Sequence, residues 1–400
     1  MADGATGVVD IGSDLERKSW MVEGLVQERS KSFWAAYTGD KNSVIYQKNN
    51  ETASNGHTIV FDYRGNLAGK AVKDKDTAYG KGEQKKKFSN KITVARYRLV
   101  ADNGDSFDGV NIGDLSITQH TDSRTELADL FIRWKDQMIF DTAQSYYLGD
   151  NGVAPKHGIY YDASSTRISY QTLVEIEKVL KTGTGYVAAS NALGYSVRTT
   201  PSTAPVKSAV RRAPLRPFRL KNGKSVWLMV IDAFTKANIF GNATVNAGII
   251  PLAQHADVRG EGNLVFHGVI GYVGQLMIVE AETFFGENAA GTGLENTAVE
   301  VCGLRQYDTT NSAWSGESTY ANPEYSRNLI LGAGAMQLGF GKMPDYKWQP
   351  SQDFGIKSES AVEFWTECQK TYLTAENNDD YKQAKIASMD HSVIPFDVKY

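Results

Sequence analysis

The sequence predicts an α+β fold in the order amphipathic helix, long hairpin, long helix, then a mixed body of short strands and helices. Three observations predict it. Large apolar residues recur at helical spacing through 123–148, strand alternation marks 57–63 and 91–100, and after residue 184 short β-like runs are punctuated by glycine. The 400 residues allow two or three domains, at roughly 150 residues each. With 41% hydrophobic and 22% charged residues the chain is of globular composition, which excludes a disordered chain, a collagen and a coiled-coil rod. Its 37 glycines and only 10 prolines favour turns and close backbone contacts over proline-rich linkers. The net charge of −3 excludes a polycation built as a whole to neutralise phosphates.

In chain order, 13–38 reads as the first helix. Ser13 caps it, Asp14 and Glu16 sit in its first turn, Trp20, Val22, Leu25, Val26, Phe33 and Trp34 form its apolar stripe, and Gly39 ends it. Residues 40–56 are polar and loop-like. Strands follow at His57–Tyr63 and Lys91–Val100. The stretch between them is rich in Gly, Lys and Asp, and a loop of that length inside a compact domain is functional or disordered. From 57 to 100 there are 11 Lys+Arg and 4 Asp+Glu, a local +7 that leaves −10 on the rest of the chain. Such a basic, glycine-tipped hairpin lacks apolar residues for a core of its own, and an isolated hairpin is marginal in water. It becomes ordered most easily on another molecule, which is the logic of an assembly protein.

The long helix spans 123–148, opened by a Ser123/Glu126 capping box and stopped at Gly149. A second helix covers Thr172–Lys181, with Thr172 and Glu175 as its box and Gly183 as its stop. Strand-like runs then fall at Val226–Ile231, Val245–Ile250, Leu264–Ile270, Leu276–Val279 and Leu329–Leu331, a helix at Ala361–Leu373, and a last strand at Val393–Val398. The segment 205–224 carries seven Lys+Arg and no acid.

No reaction motif emerges. Gly223-Lys224-Ser225 looks like the end of a phosphate-binding loop, but position 218 is Phe where that motif needs Gly. Gly332 and Gly334 open like a dinucleotide fingerprint whose third glycine is misplaced at 339. No two of the six histidines lie within four residues, so no helical metal pair exists. Asp102, Asp105 and Asp108 lack calcium-loop spacing and read as a polar turn. Cys302 and Cys368 are too few for a disulfide framework or a four-ligand zinc site and suit a reducing compartment. The first twenty residues have no signal-peptide pattern, and no apolar run approaches the ~20 residues of a membrane span. A soluble cytoplasmic chain with no membrane partner is the expectation.

The order of several short motifs resembles the major capsid proteins of podophages related to coliphage N-4, members of the Hong Kong 97 capsid fold. Gly56-His-Thr-Ile-Val-Phe61 matches that family's first hairpin strand. Leu67, Gly69, Val72 and Asp74, then Gly80-Lys-Gly82-Glu83, match its loop. Trp134 and Leu148-Gly149 match its long helix, and Gly268-Val-Ile-Gly-Tyr-Val-Gly274 and Leu331-Gly-Ala-Gly-Ala335 match its glycine-rich strands. The segment 184–224 departs from the pattern. The resemblance implies an N-terminal arm at 1–56 and an extended loop at 57–100 lying across a neighbouring subunit. It implies a peripheral domain at 101–224 with its spine helix at 123–148, an axial domain with returning peripheral strands at 225–385, and a C-terminal peripheral strand at 386–400. Lys70, Lys73, Lys75, Lys81, Lys85, Lys86 and Lys87 would meet the neighbour. Arg211, Arg212, Arg216 and Arg219 would face DNA or a neighbour. The implied role is structural: hexamers and pentamers of an icosahedral head around double-stranded DNA, built in the bacterial cytoplasm with scaffolding, portal and decoration proteins. No catalysis, cofactor or metal is implied. Two other classes stay open, a nucleic-acid-binding assembly protein using 205–224 and an enzyme with a site assembled by folding.

Overall fold

The structure, a computed structural model, describes residues 32–49, 58–64, 71–82, 87–105, 119–144, 159–163, 167–182, 186–188, 195–197, 215–220, 223–241, 269–281, 306–308, 313–314, 325–352, 357–373, 389–390 and 392–399. Two sheets organise them. The smaller has five strands in the order Thr38–Gly39, Ile45–Asn49, Met336–Gln352, Lys357–Lys370, Ala95–Asp105. At its centre the 17-residue and 14-residue strands pair antiparallel, with register shifts that mark bulges.

Helix α1 (Gln119–Gln144) lies on this sheet. Leu127 is buried against Val362 and Phe364, with Phe131, Trp134, Tyr97 and Leu99 around them. Phe364 meets Phe131 edge-on at 4.7 Å and Trp134 at 4.9 Å between ring centroids, geometries that aromatic quadrupoles favour. Further along α1, Ile139, Phe140 and Ala143 enter the main core beside Trp34, Ile45 and Leu331. The buried Asp136 carboxylate accepts from Ser32 Oγ (2.6 Å) and from the Phe33 N–H (2.7 Å). It thereby anchors the short 3-10 helix Phe33–Tyr37 on α1.

The larger sheet follows the path Val269–Val273, Leu276–Glu280, Ser225–Ile231, Tyr325–Leu331, Val393–Lys399, Ile159–Asp162, Tyr195–Val197, Tyr186–Ala188. Its strand Ser225–Ile231 is buried on both faces. Val226, Leu228 and Val230 point into the core shared with α1, while Trp227, Met229 and Ile231 point into a second core. Helix α2 (Tyr170–Thr182) closes that second core with Leu173, Ile176, Val179 and Leu180. Helix α3 (Ala233–Phe240) is capped by Asp232, which accepts from the Thr235 N–H at 2.8 Å. No described helix is long and apolar enough to cross a membrane.

One buried contact ties the sheets together. Arg327 grips Asp397, directly opposite on the next strand, with Nε–Oδ1 2.8 Å and Nη2–Oδ2 3.0 Å. Its Nη1 donates to the Gln144 carbonyl (3.1 Å), the end of α1. A guanidinium at a helix C-terminus also complements the helix dipole.

Several expectations change. The helix expected at 361–373 is strand: Ser360, Val362, Phe364, Thr366 and Cys368 are all buried, a period of two. The loop expected at 40–56 contains the strand Ile45–Asn49, parallel to Met336–Phe340. Of the helix expected at 13–38, residues 13–31 lie outside the described residues, and 33–37 form a 3-10 turn. Helix α1 begins four residues before Ser123, which is buried inside it and caps nothing. The cap of α2 is Ser169, whose Oγ accepts from the Thr172 N–H at 3.2 Å. The last strand, expected at Val393–Val398, runs Val393–Lys399 and pairs inside the larger sheet between Tyr325–Leu331 and Ile159–Asp162.

Candidate assembly interface

The hairpin is two strands, Thr58–Arg64 and Lys87–Thr93, paired antiparallel from Thr58–Thr93 to Arg64–Lys87. After Val94 the chain leaves it and Ala95–Asp105 joins the smaller sheet. Alternation decides which face is inward. Ile59, Phe61 and Ile92 are buried with Tyr46 and Val94, and Tyr63 and Trp365 pack beside them. The expectation that the hairpin has no core is therefore corrected for its root: the core exists, but Tyr46 and Trp365 supply part of it from distant strands.

Two glycines make this approach fit. A Cβ on Gly339 would stand 2.9 Å from Ile59 Cδ1, and one on Gly341 3.0 Å from Val94 Cγ2. Polar contacts complete the root. Gln337 Nε2 donates to Tyr63 Oη (2.6 Å), Tyr63 Oη and Thr371 Oγ1 are 3.2 Å apart, and Lys48 Nζ donates to the Val60 carbonyl at 2.8 Å. Hydrogen bonds from Lys41 and Lys48, each at 3.2 Å, hold the Asp62 carboxyl down to about 2.

Beyond the root the chemistry reverses. All twelve residues of 71–82 are exposed. Their backbone forms local turns, with Asp76 N–H donating to the Lys73 carbonyl and Lys81 N–H to the Ala78 carbonyl, each at 3.2 Å. Asp74 (φ 51) and Gly80 (φ 80) take the left-handed conformation those turns need. Lys73, Lys75 and Lys81 are exposed on this tip. Lys70, Lys85 and Lys86 lie outside the described residues, and Lys87 stands on the second strand opposite Arg64. Tyr79, which sequence reasoning passed over, is 95% exposed, and Val72 is also exposed. An aromatic among Lys, Asp and Gly was the available signal.

The other basic candidates divide. Arg211 and Arg212 lie outside the described residues. Arg216 and Arg219 are exposed and line one cleft with Asn42, Pro217 and Ser225. The glycines that hinted at nucleotide motifs have structural reasons instead. Gly223 (φ 82) turns the chain between Phe218–Arg219 and Ser225–Ile231, and a Cβ on Gly332 would lie 2.5 Å from the Arg216 carbonyl.

No family model matches the sequence, and no curated protein does. Solved structures do match. The capsid of Ralstonia phage GP4 superposes with a TM-score of 0.63 at 17% identity, over 99% of this chain and 98% of that one. The acid-stable capsid of Helicobacter pylori bacteriophage KHP30 gives a TM-score of 0.60 at 10% identity, over 100% and 99%. The capsid asymmetric unit of cyanophage Pam1 gives 0.55 at 12% identity, over 94% and 93%. These likenesses run nearly end to end in both directions, and the chain has the mixed α+β, Hong Kong 97-type fold of these phage capsid chains.

Proposed function

We propose that the chain is a major capsid protein, a structural subunit that closes into hexamers and pentamers of an icosahedral phage head around double-stranded DNA. The observation that carries this reading is the hairpin: a root locked into the subunit's own core and a fully exposed tip, on a fold shared with phage capsid chains. A surface so built is made to be covered by something else. In a ring of identical subunits each tip has one receiver, so the contact is head-to-tail and closes.

In this reading 57–100 is the extended loop, and Lys73, Lys75 and Lys81, with Lys70, Lys85, Lys86 and Lys87, meet acidic surface of the neighbour. The smaller sheet with α1 is the peripheral domain. The larger sheet with α2 and α3 is the axial domain, which takes in the last strand. The chain acts by assembly, with no catalytic step and no cofactor. Scaffolding, portal and decoration proteins are its partners during head assembly in the host cytoplasm. The narrower kinship with coliphage N-4 rests on the sequence motifs.

Electron microscopy and sedimentation of the purified full-length protein, alone and with its scaffold, test this. Shells, tubes or capsomers are expected. A monodisperse monomer at high concentration with scaffold present overturns it.

A further inference from the structure

A concave site remains that the shell reading leaves unused. Between Thr38–Asn49 and the edge strand Phe218–Arg219 lies a cleft of about 440 Å³, lined by Asn42, Arg216, Pro217, Arg219 and Ser225. That volume is within the size range of small-ligand sites. Two of its five lining residues are arginines and none is acidic. Arg216 Nη2 donates to Asn42 Oδ1 at 2.9 Å, which steers the guanidinium and leaves its other donors for a ligand. Among the described residues, neither Arg216 nor Arg219 pairs with a carboxylate.

The backbone under the two arginines is fixed. Leu215 N–H donates to the Leu180 carbonyl (2.9 Å), Trp227 Nε1 to the Leu215 carbonyl (3.1 Å), and Ala333 N–H to the Arg216 carbonyl (2.8 Å). Pro217 stiffens the step between them, and Arg219 sits directly opposite Ser225 on the paired strand. Rigid support of this kind lowers the ordering cost of binding.

We propose that this cleft is an oxyanion site for a phosphate group. One guanidinium fork satisfies the two oxygens of a carboxylate. Two forks, with a hydroxyl and an amide beside them, suit a group with more oxygens, and a phosphate offers them. The phosphate is either free or a phosphodiester of nucleic acid, and the chemistry at the cleft is the same. The site stands independently of the shell reading.

The test is calorimetric titration of the full-length protein with inorganic phosphate against sodium chloride at equal ionic strength. The variants are Arg219→Gln and Arg216→Gln, with melting curves in chloride to show that both fold. Saturable phosphate binding is expected in the wild type. It should weaken roughly tenfold or more in each variant, the loss expected for a hydrogen bond to a charged group. Phosphate that behaves like chloride, or binding that survives in both variants, overturns the proposal. A labelled DNA oligonucleotide distinguishes the sources. Binding lost in the same variants and displaced by phosphate assigns a phosphodiester. Phosphate binding with no such oligonucleotide binding supports the site and assigns a free phosphate.

Discussion

Replacing residues 71–82 by a short Gly-Ser turn separates assembly from folding. All twelve residues are exposed and their turn hydrogen bonds close within the tip. Exposed changes usually stay within about 0.5 kcal/mol, and loop closure changes by only about 0.6 kcal/mol per doubling of length. The subunit's melting temperature should therefore move by no more than about 2 °C for a chain this long. Phe61→Ala sets the opposite scale. Phe61 is 0% exposed in the hairpin root, and emptying a buried phenylalanine site costs about 3–5 kcal/mol. Across an interface the order inverts. Tyr79 is 95% exposed, and truncating an aromatic anchor costs about 2 kcal/mol per contact, roughly thirtyfold in the pairwise association constant. In the proposed ring each subunit gives one tip and receives one, so the loss would recur at every contact. Calorimetric melting and electron microscopy of the same preparations read both quantities. Expected are a normally melting tip-deleted subunit and a Tyr79→Ala subunit that both fail to close stable shells. Normal shells from both would show that the tip is solvated surface. A tip-deleted chain that does not fold would show that the tip belongs to the subunit, and either result refutes the reasoning.

Other perturbations test other links. Replacing Lys85, Lys86 and Lys87 by Glu takes the charge of 57–100 from +7 to +1; shells should form only at raised salt, where a Debye length of about 10 Å at 0.1 M screens the new repulsion, and light scattering against salt reads it. Asp397→Asn strands the buried Arg327 charge and should cost about 3–5 kcal/mol by denaturant titration, while pairing it with Arg327→Met should restore most of the loss. Asp62 and Glu363 are both held down to about 2, Glu363 chiefly by its hydrogen bonds from Lys347 and Arg96. A depressed folded value means stability present above the unfolded value of about 4 and lost as pH falls toward 2. Carboxyl NMR should show both still ionised at pH 4, and Lys347→Met should raise the Glu363 midpoint; wild-type midpoints near 4 contradict the contacts. Burial pushes the Cys368 thiol up to about 12, so a thiol reagent at pH 8 should label it only after denaturant is added, and rapid labelling of the native chain would contradict its burial.

What was legible in the sequence depended on how far apart the packing partners lie. Ser225–Ile231 was readable because six consecutive residues from Val226 are apolar and all are buried, so no partner is needed to see the strand. The strand Lys357–Lys370 was misread because its buried face mixes Ser360 and Thr366 with Val362 and Phe364, and polar residues inside erase the alternation. The hairpin's strands and basic tip were legible. Its root core was not, because Tyr46 and Trp365 come from elsewhere in the chain. The arginine cleft needs Asn42, 174 residues from Arg216, and no local pattern announces that meeting.

The two halves of the hairpin are chemically opposed, and in the proposed shell that opposition is what makes the tip usable. A loop that is basic and glycine-rich throughout would sample many directions, and a neighbour would have to order it on contact. Here the apolar alternation of Ile59, Phe61 and Ile92, with Ile59 seated over Gly339 and Val94 over Gly341, fixes the direction of the two strands against the smaller sheet. The left-handed Asp74 and Gly80 then set local turns, and the tip's Val72 and Tyr79 stay exposed instead of folding back onto their own chain. The entropy of ordering the hairpin root is met within the subunit's own folding, so that part does not oppose association. Weak exposed contacts from lysines, each contributing about 0–1 kcal/mol, can then favour closure of a ring in which every subunit makes them. Weakening the root should therefore impair assembly even where the tip sequence is untouched, because a correctly composed tip aimed in the wrong direction has no receiver.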